Sequence, residues 1–536
     1  MVNREVSITV PALSKPYKMS GDIYMGTVLH PEECTYDNYR TPYDYMVNGS
    51  ALTNGLFAGN PRSGKTTAAM RFVAELARPT GRKRTRVVVL DDRQQWRAIG
   101  RYLEPKNFGF YSIGKPNTHC VKINPWKIPS GVNPFTWENG VVNLFCHYHG
   151  IHEELKHIIL DTVDTLYREN GVFDNDNRDR IQELSSKVCF EDIYKRISSE
   201  ADESVRYSKI LKDLEHFSCS GFAEYQIYGT SGGVSIDEFI GEDDVIVFES
   251  LGIDYSSKNF IFGVISFGLF EYARSFENGF LSDGQCETVL IVEDADEIFT
   301  KYRDGGIWDN ITNVPEFEQM YNMSARYGLF IFAITQVPSA LPTSFIAKTG
   351  MVFAGCTRRD KDIQIIMTIL RRENRIGDSR DLYMWFHQCP GGRFVCCSPK
   401  ADGIGAAEIM IVEIKSLPNT DVYAKEDIER VETLKREYYM RHNLIECADG
   451  NVFKIIKYIN DFEISAEMQK GADAPLTADI DGVRYEVKSV NGMYITNIIN
   501  GTECILIPEK EPGIEKPVII QTNIYAIKRR NIIPFL

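Results

Sequence analysis

Unbroken apolar runs punctuate the chain at Gly55–Ala58, Arg86–Leu90 (RVVVL), Val245–Phe248, Thr288–Val292 (TVLIV), Leu329–Thr335 and Met351–Ala354. A strand apolar on both faces is buried on both, which is the mark of a parallel sheet covered by helices. Between the runs the period lengthens toward that of a helix. It predicts helices from about Lys65 to Ala77, Asn259 to Arg274 and Val314 to Arg326. The stretch Phe135–Phe217 reads mostly helical, with amphipathic spacing in HEELKHIILDTVDTLYREN and SVRYSKILKDLEHF. Strands alternating with helices in this manner predict an α/β core with a mostly parallel sheet.

The pattern changes twice. The first 50 or so residues are rich in Tyr and Pro and read as short strands and turns. Near Leu417-Pro418-Asn419 the alternation stops. A charged helix is predicted over Lys425–Arg441, followed by short strand-like runs such as DIDGVRYEVKSV and TECILIP. The expected organisation is a strand-rich lead-in (1–50), a first part of the core (51–134), a helical insertion (135–235), a second part of the core (236–418) and a small α+β or β-rich C-terminal appendage (419–536).

Composition narrows the function. Apolar residues make up 43% and charged residues 25% of 536 positions, enough to build a large core and to exclude disorder over most of the chain. With 60 Lys and Arg against 74 Asp and Glu the net charge is −14, so any contact with nucleic acid is confined to a local patch or a pore. The N-terminal MVNREVSITVPALSK lacks the apolar centre of a leader. Phe260–Phe270 and Gly328–Ile334 are too short to span a bilayer. The expectation is a cytoplasmic protein, with no direct membrane span, peripheral to an inner membrane only through a partner.

Gly59-Asn60-Pro61-Arg62-Ser63-Gly64-Lys65-Thr66 fits the pattern GxxxxGK[ST], with Thr67 extending it into the helix. Glycines at the two ends let successive N–H groups turn toward phosphate oxygens, and the helix that follows points its positive end at the same anion. Lys65 supplies a mobile charge for the β- and γ-phosphates and Thr66 a hydroxyl ligand for Mg²⁺. A strand before and a helix after complete the context for an ATP site.

The run Thr288–Val292 ends in Glu293 and Asp294. Paired carboxylates at a strand end suit a nucleotide site: Glu293 to hold Mg²⁺ through water, Asp294 to polarise the attacking water, with Asp296 and Glu297 close behind. The run Leu329–Thr335 ends in Gln336, an amide able to sense the γ-phosphate or place water. Arg326 precedes that run and Arg358, with Arg359, follows the next. Each is a candidate to reach a neighbouring subunit's site and stabilise charge on the γ-phosphate.

The order of these features resembles the HerA/FtsK superfamily of P-loop pumps, which includes the conjugation and type IV secretion ATPases. The likeness spans roughly residues 20–415: Ile23-Tyr-Met-Gly26 and Asn54-Gly-Leu-Phe before the loop, VVVLDD (87–92) and Ile123-Asn124-Pro125 after it, then SARYG–strand–TQVP and strand–TRRD. The resemblance implies a RecA-like P-loop NTPase core, ATP and Mg²⁺ as cofactors, and a homo-hexameric ring. It implies Gln336 as sensor glutamine and Arg326 and Arg358 as candidate trans-acting arginines. Glu293-Asp294 reverses the family's usual Asp-Glu, which shortens the second carboxylate by one methylene and bears on hydrolysis rate.

Two signals read as structural. Cys146, His147, His149 and His152 lie close together without the spacing of a zinc site and are expected at a helix corner. The basic run Arg82–Arg86 is expected to be a solvated loop. The reading that follows is an ATP-hydrolysing ring motor that translocates double-stranded DNA, with a membrane channel or a nuclease as further partner. The alternatives are an ATPase energising a conjugation or secretion channel, and an ATP-binding switch with little turnover.

Overall fold

The computed structural model describes residues 21–29, 43–78, 85–103, 108–113, 123–151, 153–200, 235–240, 245–250, 252–276, 287–299, 315–373, 380–399 and 408–417, with short pieces at 210–212, 214 and 279–281 and strand segments between 444 and 508. The chain divides into two compact units. The first comprises residues 1–108, 241–249 and 265–431; the second comprises 109–240, 250–264 and 432–536.

The first unit is built on a sheet whose strands are β1 (Ile23–Val28), β2 (Asp44–Val47), β3 (Asn54–Ala58), β4 (Thr85–Asp91), β6 (Val245–Ser250), β7 (Glu287–Val292), β8 (Leu329–Thr335), β9 (Thr349–Ala354), β10 (Arg393–Ser398) and β11 (Glu408–Ile414); β5 (Phe108–Ile113) begins at the division between the units. The order is β2-β1-β11-β10-β9-β3-β8-β7-β4-β6. From β9 to β6 every neighbouring pair is parallel. From β9 outward to β2 every pair is antiparallel. The parallel strands are the unbroken apolar runs of the sequence, and β3, β4, β6 and β8 are buried along their whole length. This is the RecA-like P-loop NTPase fold, as expected.

Packing under the phosphate loop is aromatic. Phe57 of β3 stacks on Phe353 of β9 with ring centroids 4.6 Å apart, and Phe72 of the Lys65–Leu76 helix meets Phe332 of β8 at 4.9 Å. Each buried ring contributes about 1.5–3 kcal/mol by area. Gly55 has no side chain because a Cβ there would lie 2.2 Å from the Phe332 ring. Asn54 accepts a hydrogen bond from the Ile331 amide (2.9 Å), tying the first residue of β3 to its neighbour.

One residue of the basic run departs from expectation. Residues 82–84 lie outside the described set, but Arg86 is buried, donates to the Thr288 hydroxyl at 3.2 Å and lies over the Phe280 ring. A strand residue facing inward needs such partners, and an aromatic face supplies one.

In the second unit the insertion is helical over Pro134–His149, Glu153–Glu169, Ile181–Ser185 and Phe190–Glu200. The first helix is capped by Asn133, whose side chain accepts the Thr136 amide (3.2 Å), has Pro134 in its first turn and ends at Gly150 with φ +60°. His149 there packs against Phe145, with ring centroids 4.7 Å apart. The C-terminal strands are β12 (Leu444–Glu446), β13 (Val452–Tyr458), β14 (Leu476–Ile480), β15 (Val483–Val490), β16 (Met493–Asn497) and β17 (Glu503–Pro508). They form a sheet in the order β12-β13-β17-β16-β15-β14, with β13 and β17 its parallel pair. The helix predicted over 425–441 lies outside the described residues. Among the described residues no helix is long and apolar enough to cross a membrane.

Candidate functional site

Because β9, β3, β8, β7, β4 and β6 run the same way, their last residues share one edge of the sheet. In such sheets ligands bind in the crevice outside that edge. Here the edge collects Ala58 and the phosphate loop, Thr335 and Gln336, Glu293 and Asp294, Asp91, and Glu249.

The loop is wound as the motif requires. Gly59 has φ +150° and Gly64 φ +95°, and Arg62 between them takes φ +65°. The turn is braced from outside. The Asn60 amide donates to the carbonyl of Cys356 beyond β9 (2.6 Å), and the Gly392 amide donates to the Ser63 carbonyl (3.0 Å). The Lys65–Leu76 helix starts at the loop, as predicted, and no side chain caps its first turn. Lys65 folds back to donate to the Asn60 carbonyl at 3.0 Å. Burial lowers its ammonium pKa, while Glu293 and Asp294 oppose that shift. The Ser63 hydroxyl is buried without a hydrogen-bond partner.

The carboxylates form a row. Asp91 and Glu249 are register partners on β4 and β6, and Glu293 continues the ladder from β7 by donating its amide to the Leu90 carbonyl (3.1 Å). All three are buried. Arg97 neutralises Glu249 through two hydrogen bonds of 2.7 and 2.5 Å. Asp91 accepts the amides of Arg93 (2.9 Å) and Trp96 (3.0 Å), and burial still pushes its carboxyl up to about 7. Glu293 accepts the Trp96 indole N–H at 3.1 Å and the Thr66 hydroxyl. Burial, with Asp91 beside it, pushes Glu293 up to about 8. Asp294 turns out of the strand with φ +43° and takes a 2.6 Å hydrogen bond from Arg93 Nε.

This donor set fits Mg²⁺. A hydroxyl and a buried carboxylate in contact, Thr66 with Glu293, are hard oxygen donors at the end of a phosphate loop.

The remaining predicted residues divide by position. Gln336 sits half-buried just past β8. Its neighbour Thr335 donates its hydroxyl to Asp296 and accepts the Val337 amide (2.9 Å), so Asp296 is tied to the β8 end. Arg358 follows β9 and is exposed at the loop's edge of the sheet. Arg326 precedes β8 and so lies at the opposite edge, exposed over the Tyr327 ring. One chain does not bring Arg326 to its own phosphate loop.

Sequence reasoning missed Arg93, Trp96, Arg97 and Glu249. Glu249 carried a usable signal: it ends an apolar strand, as Glu293 does. The other three lie in the bend after β4 and the first turn of the 3-10 helix Trp96–Tyr102, whose importance appears only through the pairing of β4 with β6 and β7.

No family model matches the chain, and no curated protein matches it. Among solved structures it is similar to VirB4 of Thermoanaerobacter pseudethanolicus at 13% identity and a TM-score of 0.52, over 75% of this chain and 100% of that one. It is also similar to the plasmid coupling protein TrwB in complex with a non-hydrolysable GTP analogue (11%, TM-score 0.44, over 76% of this chain and 97% of that one). A third similar structure is the genome packaging NTPase B204 from Sulfolobus turreted icosahedral virus 2 (13%, TM-score 0.22, over 35% of this chain and 73% of that one).

Proposed function

We propose that the protein is an ATP-hydrolysing motor of the HerA/FtsK type that works as a ring, with a hexamer expected, and moves double-stranded DNA. The observation that carries this reading is the convergence of a braced phosphate loop, a buried carboxylate in contact with Thr66, and a glutamine on one edge of a parallel sheet. In it the phosphate loop Gly59–Thr67, through the backbone amides at the start of its helix, and the Lys65 ammonium bind the phosphates. Thr66, and Glu293 through water, would hold Mg²⁺, which would supply charge neutralisation at the transferring phosphoryl group. Asp294 polarises the attacking water, Gln336 orients that water, and Arg358 or Arg326 of a neighbouring subunit meets the developing charge.

The test is steady-state ATP hydrolysis by the purified chain with and without linear double-stranded DNA, beside Lys65→Ala. Strong stimulation by DNA supports the reading; turnover indifferent to DNA overturns its DNA part.

A second reading, an ATPase that energises a conjugation or secretion channel, is favoured by the net charge of −14 and by the likeness in fold to VirB4. A stable complex with a membrane channel component, without stimulation by DNA, supports it. Tight ATP binding with negligible turnover, unchanged by Asp294→Asn, would instead point to a nucleotide-dependent switch.

A further inference from the structure

Among the described residues, three non-glycine residues have positive φ: Arg62 (+65°), Gln94 (+57°) and Asp294 (+43°). A side-chain-bearing residue in that region is strained, and such strain persists where the surroundings over-determine it. Arg62 belongs to the phosphate loop and Asp294 ends β7. Gln94 belongs to neither; it lies in the turn after β4.

That turn is built tightly. Asp91, with no solvent exposure, anchors it by accepting two amides: Arg93 N on one carboxylate oxygen and Trp96 N on the other. With Asp91 fixed, three successive donors leave the turn toward three carboxylates on neighbouring strand ends. Arg93 reaches Asp294, Trp96 reaches Glu293, and Arg97 grips Glu249 with both oxygens engaged. The Arg93 side chain is 46% exposed and its partner's 10%, so the guanidinium reaches in from the rim rather than filling the core.

We propose that the turn 91–97 is a positioning device for the carboxylates of the nucleotide site, and that Arg93 fixes the orientation of Asp294. The inference rests on the ATPase reading. The χ1 torsion of Asp294 has several staggered wells, each aiming the carboxylate differently, and the ion pair through Arg93 Nε selects one. Arg93 acts through Asp294 and is a positioning residue.

The full-length chain is assayed for MgATP hydrolysis with saturating linear DNA, as wild type, Arg93→Gln, Arg93→Lys, Asp294→Asn and the Arg93→Gln/Asp294→Asn double variant. Arg93→Gln is expected to lower kcat about 10-fold or more while KM stays within about threefold, because misplacing a catalytic group slows the chemical step without weakening binding. Arg93→Lys, which restores a cation, is expected at an intermediate kcat. The double variant is expected to be no slower than Asp294→Asn alone, because the two side chains act as one unit.

Wild-type kcat in Arg93→Gln overturns the inference and leaves the ATPase reading intact. So does a double variant whose losses multiply. Selective loss of affinity for a non-hydrolysable triphosphate over ADP also overturns it, since it would place Arg93 on the γ-phosphate. Absence of turnover in the wild type removes the ATPase reading and this inference with it. If Arg93→Gln fails to fold by thermal melting, Arg93→Lys carries the same comparison: an unchanged kcat there sinks the proposal.

Discussion

The indole N–H of Trp96 donates to Glu293 Oε1 at 3.1 Å, so a residue from the turn after β4 orients the carboxylate at the end of β7. Trp96 is fully buried, and its backbone is held by Asp91. Trp96→Phe keeps the ring and removes the donor. Glu293 then retains the Thr66 hydroxyl and loses its second side-chain partner. A side-chain hydrogen bond contributes about 0.5–1.5 kcal/mol. Turnover is expected to fall by up to about 10-fold on that scale, with the melting temperature lowered by a few degrees at most. Full activity in Trp96→Phe would show that the indole merely fills space.

Lys65→Ala tests the loop itself. The ammonium is buried and donates to a carbonyl of its own loop, and burial lowers its pKa while the Glu293 and Asp294 carboxylates oppose that shift. Removing it is expected to abolish ATP hydrolysis while leaving the melting temperature within about 3 °C of wild type, since a single loop hydrogen bond contributes about 1 kcal/mol. A large loss of stability would mean that Lys65 is a structural cation.

How much of this was legible in the sequence depended on distance along the chain. The phosphate loop is eight consecutive residues, and local glycine chemistry announces it. The parallel strands announce themselves because burial on both faces erases polar alternation, as in LFIFAIT of β8. Arg86 was misread because charge along the chain says nothing about which face of a strand it occupies; Thr288 is 202 residues away. The contacts of Arg93, Trp96 and Arg97 span 201, 197 and 152 residues, so they exist only once β4 is placed between β6 and β7. A positive φ at Gln94 leaves no mark in composition.

Arg97 and Glu249 make an ion pair whose carboxylate is wholly buried. Arg97→Ala would strand that charge beside Asp91, and breaking a buried pair from one side costs about 3–5 kcal/mol. The expected result is a clear drop in the denaturation midpoint. Arg97→Met combined with Glu249→Leu is expected to recover most of it, because an apolar pair of similar volume needs no compensation. A single variant as stable as wild type would mean the pair is matched by water and not desolvated.

Glu138, in the Pro134–His149 helix, gives the second unit a pH dependence. It is buried, one of its oxygens has no hydrogen-bond partner, and burial pushes its carboxyl up to about 8 from 4.5, with Asp164 adding and Arg168 opposing. The folded state therefore holds a proton that the unfolded state releases. The stabilisation is present below 4.5 and lost as pH rises toward about 8. Glu138→Gln keeps the shape without the charge. It is expected to raise the melting temperature at pH 8, to change little at pH 4.5, and to flatten the slope between. Hydrogen exchange in the Pro134–His149 helix would locate the effect, and equal slopes for variant and wild type would refute it.

Arg358 and Arg326 sit on opposite edges of the parallel sheet, so at most one of them faces the chain's own phosphate loop edge. Arg358 is exposed and its neighbour Arg359 is paired with Asp362 at 3.5 Å, which leaves Arg358 as the arginine to project toward another subunit. Arg358→Ala is expected to lower kcat by about 10³-fold or more while ATP affinity stays near wild type, since a trans arginine acts on transition-state charge. Mixing decides between cis and trans. In a ring assembled from Arg358→Ala and Lys65→Ala chains, an intact phosphate loop on the first type can meet an intact Arg358 on the second. Partial recovery of hydrolysis, absent from either variant alone, is the expected outcome. If mixed rings stay inactive while Arg326→Ala mixed with Lys65→Ala recovers, the trans residue is Arg326, and the edge that faces the neighbouring subunit's site is the one where β8 begins.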